Sequence, residues 1–118
     1  MTIVELVQMF AEPLDLAVVL TDVDLERPGP TILYANPAFA RMSGYAAHEM
    51  LGNSPRLLQG SGTSREAARM VTRSLRAEGR FRGVLQNYRK SGEAYLCEID
   101  ARAILDRTGR PEAFIAFK

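Results

Sequence analysis

Apolar residues recur at helical spacing at the start of the chain, before Glu12-Pro13 ends the pattern. The residues that share this spacing are Ile3, Leu6, Val7 and Phe10. They predict a short amphipathic helix, and we assign residues 1–12 to this N-terminal helical extension. So short a helix cannot bury its own apolar stripe, so we expect the stripe to pack on an exposed sheet face or against a second copy of the chain.

Two runs of β-branched and apolar residues follow, at 17–22 and 31–34, and they predict two strands. Pro28-Gly29-Pro30 lies between these runs. Because proline disrupts both helices and central strands, this stretch predicts a loop.

Three brief helices are expected next, and two of them begin with a polar residue followed by proline. Asn36-Pro37 predicts a capped helix start, because asparagine accepts backbone N–H bonds and proline at the first helical position loses no needed donor. We therefore expect Asn36 to cap a helix rather than to contact a ligand. A second helix is expected from about Ala46, and Ser54-Pro55 starts the third in the same way as the first.

The longest helix is predicted over residues 64–78, because Thr63 and Glu66 have capping-box spacing and apolar residues follow at intervals of four. Beyond this helix the apolar period changes to two, which is typical of half-buried strands. The three strands predicted from this pattern are 81–89, 93–104 and 113–117.

The order of these elements predicts the fold class. Five strands with a helical block inserted after the second indicate an α+β fold, in which helices cover one face of a five-stranded antiparallel sheet. The N-terminal amphipathic helix is an addition to this arrangement.

Composition narrows the function classes. The chain has 118 residues, which suits one domain. Its formal net charge is +1, so its charge indicates neither nucleic acid nor a membrane surface as a partner. The single cysteine, Cys97, excludes an internal disulfide and a multi-thiolate metal site. No basic start followed by an apolar block marks a secretory signal, so we expect a cytoplasmic protein.

Several motifs carry a resemblance to a known superfamily. Tyr34-Ala35-Asn36-Pro37-Ala38-Phe39, followed by Ser43-Gly44-Tyr45 and Leu51-Gly52, resembles the entry to the helical block of PAS domains. The stretch from Gly52 to Gly60, with Leu-Leu-Gln-Gly at its end, and Asn87-Tyr88-Arg89-Lys90 resemble the LOV branch, whose members bind flavin. The resemblance covers residues 13–118, which we assign to a PAS/LOV-like domain with the PAS fold.

Pro55 stands where the LOV resemblance implies a reactive cysteine, whose thiol adds to the flavin ring after blue-light excitation. Proline has no thiol, so LOV adduct photochemistry is not expected. Cys97 matches instead a strand asparagine that contacts the polar edge of the flavin, and we expect it to be a buried apolar cysteine.

The other flavin contacts implied by the resemblance are partly retained. Those that match the family are Thr21, Arg56, Gln59 and Asn87, of which Arg56 corresponds to a phosphate contact. Those that depart from it are Ser54, Thr72, Cys97 and Lys118. Lys118 replaces the glutamine that relays the state of the flavin, and Thr72 replaces a second phosphate-binding arginine, although Arg69 or Arg73 is near enough to take over that contact.

The resemblance predicts a sensory or interaction module of a signal-transduction protein rather than an enzyme. We expect it to dimerise with itself and to pass a signal to an effector outside this chain, such as a histidine kinase or a diguanylate cyclase. The lost contacts favour a domain without cofactor, and Gln59 and Asn87 would then satisfy buried backbone groups. The alternative is a sensor that binds flavin mononucleotide or another flavin without covalent chemistry. The arginines of the longest helix are explained most simply as a solvated face.

Overall fold

A computed structural model describes all 118 residues and contains five strands and five helical segments. The helices are α1 (Ile3–Ala11), α2 (Pro37–Ser43), α3 (Ala47–Met50), a 3₁₀ helix (Pro55–Leu58) and α4 (Arg65–Glu78). The strands are β1 (Val18–Thr21), β2 (Ile32–Ala35), β3 (Arg80–Tyr88), β4 (Ala94–Leu105) and β5 (Pro111–Phe117). No helix combines the length and the apolar character needed to cross a bilayer.

The strands form one antiparallel sheet in the order β2-β1-β5-β4-β3. The first and last strands therefore lie together at the centre, and the helical block links β2 at one edge to β3 at the other. This confirms the predicted α+β fold with helices inserted after the second strand.

Side chains point alternately to the two faces of the sheet along each strand, and both faces of the central strands are buried. The inner face carries Val19 of β1 and Phe114 of β5, which pack in the clusters beneath the helical block. The outer face carries Leu20 and Ile115, which pack with α1. A period of two places neighbouring residues on opposite faces, so each central strand contributes to both cores.

Helix α1 packs on the outer face of the sheet through half of the predicted stripe. Val7 and Ala11 are buried, and Ile3 and Val4 pack beside them. The other two predicted residues, Leu6 and Phe10, remain exposed at 49% and 46%. The sheet therefore covers only part of the apolar surface of the helix.

Asn36 joins α1, β1 and α2 through four hydrogen bonds. Its Oδ1 accepts from the backbone N–H groups of Val18 (2.9 Å) and Phe39 (3.0 Å). Its Nδ2 donates to the carbonyls of Ala11 (3.0 Å) and Leu16 (2.8 Å). The prediction that Asn36 caps α2 is confirmed, and the side chain is also fully buried and fully satisfied.

The predicted capping box at the start of α4 is wrong. Ser64 is the cap, and its Oγ accepts a hydrogen bond from the N–H of Ala67 at 3.1 Å. The Thr63 hydroxyl instead donates to the carbonyl of Gln86 in β3 at 2.6 Å. Thr63 therefore ties the loop before α4 to the sheet.

Candidate functional site

The four predicted ligand contacts line one cavity between the helical block and the inner face of the sheet. They are Thr21 of β1, Arg56 of the 3₁₀ helix, Gln59 after it and Asn87 of β3. The cavity has a volume of about 100 Å³, and its remaining walls are mostly apolar. Chain positions separated by as many as 66 residues are thus brought to one site (Thr21 to Asn87, 87 − 21).

A larger open groove of about 850 Å³ adjoins this cavity. The two spaces share four lining residues, namely Arg56, Gln59, Ala68 and Thr72. The groove is strongly basic, with no acidic residue in its lining. Its arginines are Arg27, Arg56, Arg65, Arg69, Arg73 and Arg76.

Arg56 lies where the cavity meets the groove and is held by the proline-containing loop. Its Nε donates to the carbonyl of Gly29 at 2.7 Å, and one terminal nitrogen donates to the carbonyl of Leu25 at 3.0 Å. Burial lowers the pKa of this guanidinium, and the nearby charges of Arg27 and Arg76 lower it further. Because a guanidinium has five N–H donors, these bonds leave others free for an anion.

The 3₁₀ helix and the residues after it set the position of the cavity wall. The Ser54 Oγ caps the helix by accepting from the Arg56 N–H at 3.2 Å, and Pro55 takes the first helical position and lines the cavity. Gly60 follows Gln59 because a Cβ at this position would lie 2.5 Å from the Tyr88 ring. Close packing against Tyr88 therefore explains the glycine of the Gln-Gly pair. Gln59 itself lines both the cavity and the groove.

Asn87 marks a polar end of the cavity on β3 and β4. It is 2% exposed and lies beside the Tyr95 hydroxyl and the Cys97 thiol. The Tyr95 hydroxyl is buried and has Asn87 as a polar neighbour, although the pair does not reach hydrogen-bond geometry; burial raises the pKa of this hydroxyl, and Asn87 acts in the opposite direction. Cys97 is buried as predicted, and burial likewise raises the pKa of its thiol. The thiol is thus kept protonated and unreactive.

Lys118 extends from the end of β5 into the same cavity. Its Nζ lies 5.0 Å from the centroid of the Phe39 ring, and Phe39 is fully buried. Burial lowers the pKa of this ammonium, while the nearby Cys97 acts in the opposite direction. No aspartate or glutamate lines the cavity, so Arg56 and Lys118 are its charged groups.

The sequence did not identify Arg27 as a residue of the site. Arg27 comes from the loop before β2 and meets α4 only through the fold, where the neighbouring Glu26 forms an ion pair with Arg76 at 2.8 Å. The α4 arginines are exposed, as expected for a solvated face, and this exposed face lines the groove.

The donor set fits a flat heteroaromatic ring that carries an anionic chain. Neutral polar groups and apolar walls surround the cavity, and arginines line the groove at its mouth. The volume of about 100 Å³ is below the ~300–1,000 Å³ of ligand pockets, so a flavin ring needs the walls to move apart. Lys118 is a long side chain inside the cavity whose movement would provide room.

Comparison with known proteins identifies relatives that match most of this chain. The chain is 36% identical over 107 residues to the nitrogen fixation regulatory proteins of Klebsiella oxytoca and Klebsiella pneumoniae, which covers 91% of the chain. It is 35% identical over 89 residues to the blue-light-activated histidine kinase of Brucella canis, which covers 75% of the chain. The chain spans about a fifth of the length of these relatives, 21% and 18% respectively.

Two solved structures share the architecture. One is a light-oxygen-voltage domain from work on a flavin analogue, with a TM-score of 0.81 and 28% identity over 96% of this chain and 79% of that chain. The other is an RNA-binding light-oxygen-voltage receptor, with a TM-score of 0.82 and 30% identity over 98% of this chain and 32% of that chain. A PAS domain model matches residues 15–117. This chain therefore belongs to the PAS domain family, within which its neighbours include light-oxygen-voltage sensors.

Proposed function

We propose that this chain is a PAS sensory domain that binds a flavin nucleotide without a covalent bond and passes its state to an effector outside the chain. One observation carries the proposal: the apolar cavity and the basic groove are contiguous and share Arg56 and Gln59. A ring in the cavity would therefore place an attached phosphate among arginines. The bound group would supply light absorption and electron-accepting chemistry, while the residues of this chain hold and orient it.

Three arginines of the groove, Arg65, Arg69 and Arg73, form no side-chain hydrogen bond or ion pair within the chain, unlike Arg56 and Arg76. Arg65 and Arg69, and Arg69 and Arg73, are four residues apart on α4, where like charges cost about 0.2–0.5 kcal/mol per pair. Their lining of one groove gives an anion several charge-assisted hydrogen bonds, each worth roughly 1.5–3 kcal/mol. Binding of an anionic ligand therefore explains why these like charges lie close together, whereas packing within the chain does not.

Pro55 determines the kind of chemistry that we propose. It lines the cavity and has no thiol, and the buried thiol of Cys97 has a raised pKa. Neither residue offers a thiolate nucleophile. The sensor would therefore respond through non-covalent changes at its ligand. A cavity filled only by protein side chains, which the lost family contacts favour, is the competing outcome.

The test begins with native mass spectrometry and absorption spectroscopy of the purified chain, followed by titration of the ligand-free protein with riboflavin and with flavin mononucleotide. We expect uptake of both, with the phosphorylated form bound roughly 10- to 100-fold more tightly, since one charge-assisted hydrogen bond is worth about this factor. Colourless protein that takes up neither compound would refute the proposal.

A double variant separates the groove from the cavity. Arg69→Gln with Arg73→Gln removes two charges from the groove, and we expect the preference for the phosphorylated form to fall by about tenfold or more, with riboflavin binding unchanged. Arg107→Gln is the matched control, because Arg107 is exposed in the turn before β5 and outside both spaces. An unchanged preference in the double variant would remove the groove from the proposal.

We also propose that the chain dimerises through the outer face of α1. Leu6, Met9 and Phe10 are exposed at 49%, 62% and 46% and lie on one side of the helix at spacings of three and four. Two copies of this face would cover each other.

The histidine kinase and the regulatory protein among the relatives support an effector of the signalling class.

A further inference from the structure

Residues 24–30, in the loop between β1 and β2, form part of the wall of both the cavity and the groove, and we call this segment the lid. Leu25 and Pro30 line the cavity, and Arg27 lines the groove. Leu25 is buried and packs in the same core cluster as Leu75 of α4. An outward movement of the lid therefore takes an apolar side chain out of the cavity and enlarges it.

The lid is a compact segment with its own hydrogen bonds. The Gly29 N–H donates to the Glu26 carbonyl at 2.7 Å, and the Glu26 N–H donates to the Asp24 carboxylate at 3.1 Å. A Cβ on Gly29 would lie 2.4 Å from the Asp24 carbonyl oxygen, so a larger residue would disturb this packing. These contacts do not involve the rest of the chain, so the segment can move as one piece.

Two arginines of the groove hold the lid against the helical block. Arg56 donates to the carbonyls of Leu25 and Gly29 at 3.0 and 2.7 Å. Arg76 of α4 donates to the Glu26 carboxylate at 2.8 Å. The lid makes no other hydrogen bond outside its own loop. Closure of the lid and binding of an anion in the groove therefore use the same guanidinium groups.

Glu26 provides the carboxylate that pairs with an arginine of the groove. The side chains of Glu26 and Arg76 are exposed at 82% and 51%, so the pair lies at the open side of the groove. Exposed ion pairs are weak, and guanidinium groups bind phosphate strongly. A phosphate that enters the groove can thus take the place of the Glu26 carboxylate at Arg76.

We propose that residues 24–30 are the movable wall through which a ligand enters the cavity, and that Glu26 latches this wall until an anion replaces it at Arg76. The inference rests on the proposed function, because it takes the ligand of the groove to be an anion. With the groove empty, the Glu26 carboxylate neutralises Arg76 and the lid is closed. An anion at Arg76 repels this carboxylate, so one fastening is lost and the open state becomes more populated. The anionic end of the ligand thereby gives its ring access to the cavity.

The test uses the single cysteine as a reporter of lid opening. Cys97 is buried in the same core cluster as Leu25, so a reagent reaches its thiol more often when the lid opens more often. The measured quantity is the rate at which dithiodipyridine, an uncharged disulfide, reacts with the ligand-free chain. Glu26→Gln and Arg76→Gln each remove the latch, and we expect a rate about two- to fivefold higher, the factor that an exposed ion pair contributes. The double variant is expected to react no faster than the single variants, because all three lack the same contact.

Inorganic pyrophosphate is the anion in this test, with potassium chloride at equal ionic strength as the reference. We expect pyrophosphate to raise the rate of the wild type by a similar factor and to leave the rate of Glu26→Gln unchanged, since this variant has no latch to release. Glu112→Gln is the matched control, because Glu112 is an exposed glutamate of β5 that forms no ion pair. We expect it to behave as the wild type does.

The inference is overturned if Glu26→Gln reacts at the wild-type rate, or if the effects of the two single variants multiply in the double variant. It is also overturned if pyrophosphate fails to raise the wild-type rate or raises the rate of Glu26→Gln equally. None of these results depends on flavin uptake. A chain whose lid responds as expected but which takes up no flavin overturns the proposed flavin ligand alone.

Discussion

Replacing Asn36 with alanine tests whether this residue, rather than any ligand contact, joins α1 to the sheet. The change removes all four side-chain hydrogen bonds of a fully buried residue. Two of the partner groups keep another bond, because the Phe39 N–H also reaches the Asn36 carbonyl and the Ala11 carbonyl also accepts from Leu14. The Val18 N–H and the Leu16 carbonyl lose the bond that Asn36 provides.

The expected loss of stability follows from these groups. An unsatisfied buried N–H costs about 1–3 kcal/mol, and loss of a helix cap costs about 1 kcal/mol. The Leu16 carbonyl is partly buried and adds less. We expect a decrease of about 3 kcal/mol in the free energy of unfolding, which for a domain of this size lowers the melting temperature by roughly 12 °C.

The assay is urea unfolding followed by circular dichroism, with Ser64→Ala as the matched control. Ser64 makes one exposed capping bond, so its loss is expected to cost about 1 kcal/mol. Asn36 lines neither the cavity nor the groove, so ligand affinity of the folded variant is expected to stay unchanged. If Asn36→Ala were no less stable than Ser64→Ala, the structural role assigned to Asn36 would be wrong.

Three further predictions concern light, pH and assembly. Pro55→Cys places a thiol in the cavity wall, so we expect blue light to bleach the flavin absorption band reversibly in this variant and not in the wild type; equal responses would contradict the role given to Pro55. The Tyr34 hydroxyl donates to Glu12 at 2.5 Å, and burial, then this bond and the carboxylate charge, raise its pKa above 10.0. Its contribution to stability is therefore complete below pH 10 and falls as pH rises above it; Tyr34→Phe is expected to flatten this alkaline loss in unfolding curves. Phe10→Glu places a charge on the exposed face of α1 and is expected to shift the mass in concentrated solution from dimer to monomer, whereas an unchanged mass would place the interface elsewhere.

The sheet could be predicted from the sequence because each strand carries its own signal. In β4 the alternation of Tyr95, Cys97, Ile99 and Ala101 with polar residues indicates both the strand and its inward face. The signals for helix ends are also local, since Gly44 and Gly79 end α2 and α4 in the left-handed conformation. Signals of this kind need no knowledge of the remaining chain.

The predictions that failed have a common physical reason. In each case the local sequence allows more than one arrangement, and contacts with residues distant in the sequence determine which one forms. Helix α1 is apolar over a wide surface, and the part with Val7 and Ala11 is buried because it meets β1 and β5, while Leu6 and Phe10 stay exposed. Thr63 and Ser64 are both competent caps, and the carbonyl of Gln86, 23 residues away in sequence, engages Thr63. The basic groove likewise depends on a loop arginine that reaches α4 only in the folded chain.

Strand β1 contacts the cavity and α1 through successive residues. Val19 and Thr21 line the cavity, while Val18 and Leu20 pack against the helix on the other side of the sheet. A ligand that displaces β1 therefore also changes the surface on which α1 packs, because only the backbone of this strand separates the cavity from the helix. Thermodynamic linkage makes this exchange reciprocal: a partner that binds α1 more tightly in one ligand state strengthens that ligand state by the same factor. Ligand affinity measured on this chain alone would then differ from the affinity measured with such a partner bound, and the ratio of the two affinities would give the coupling between ligand and partner.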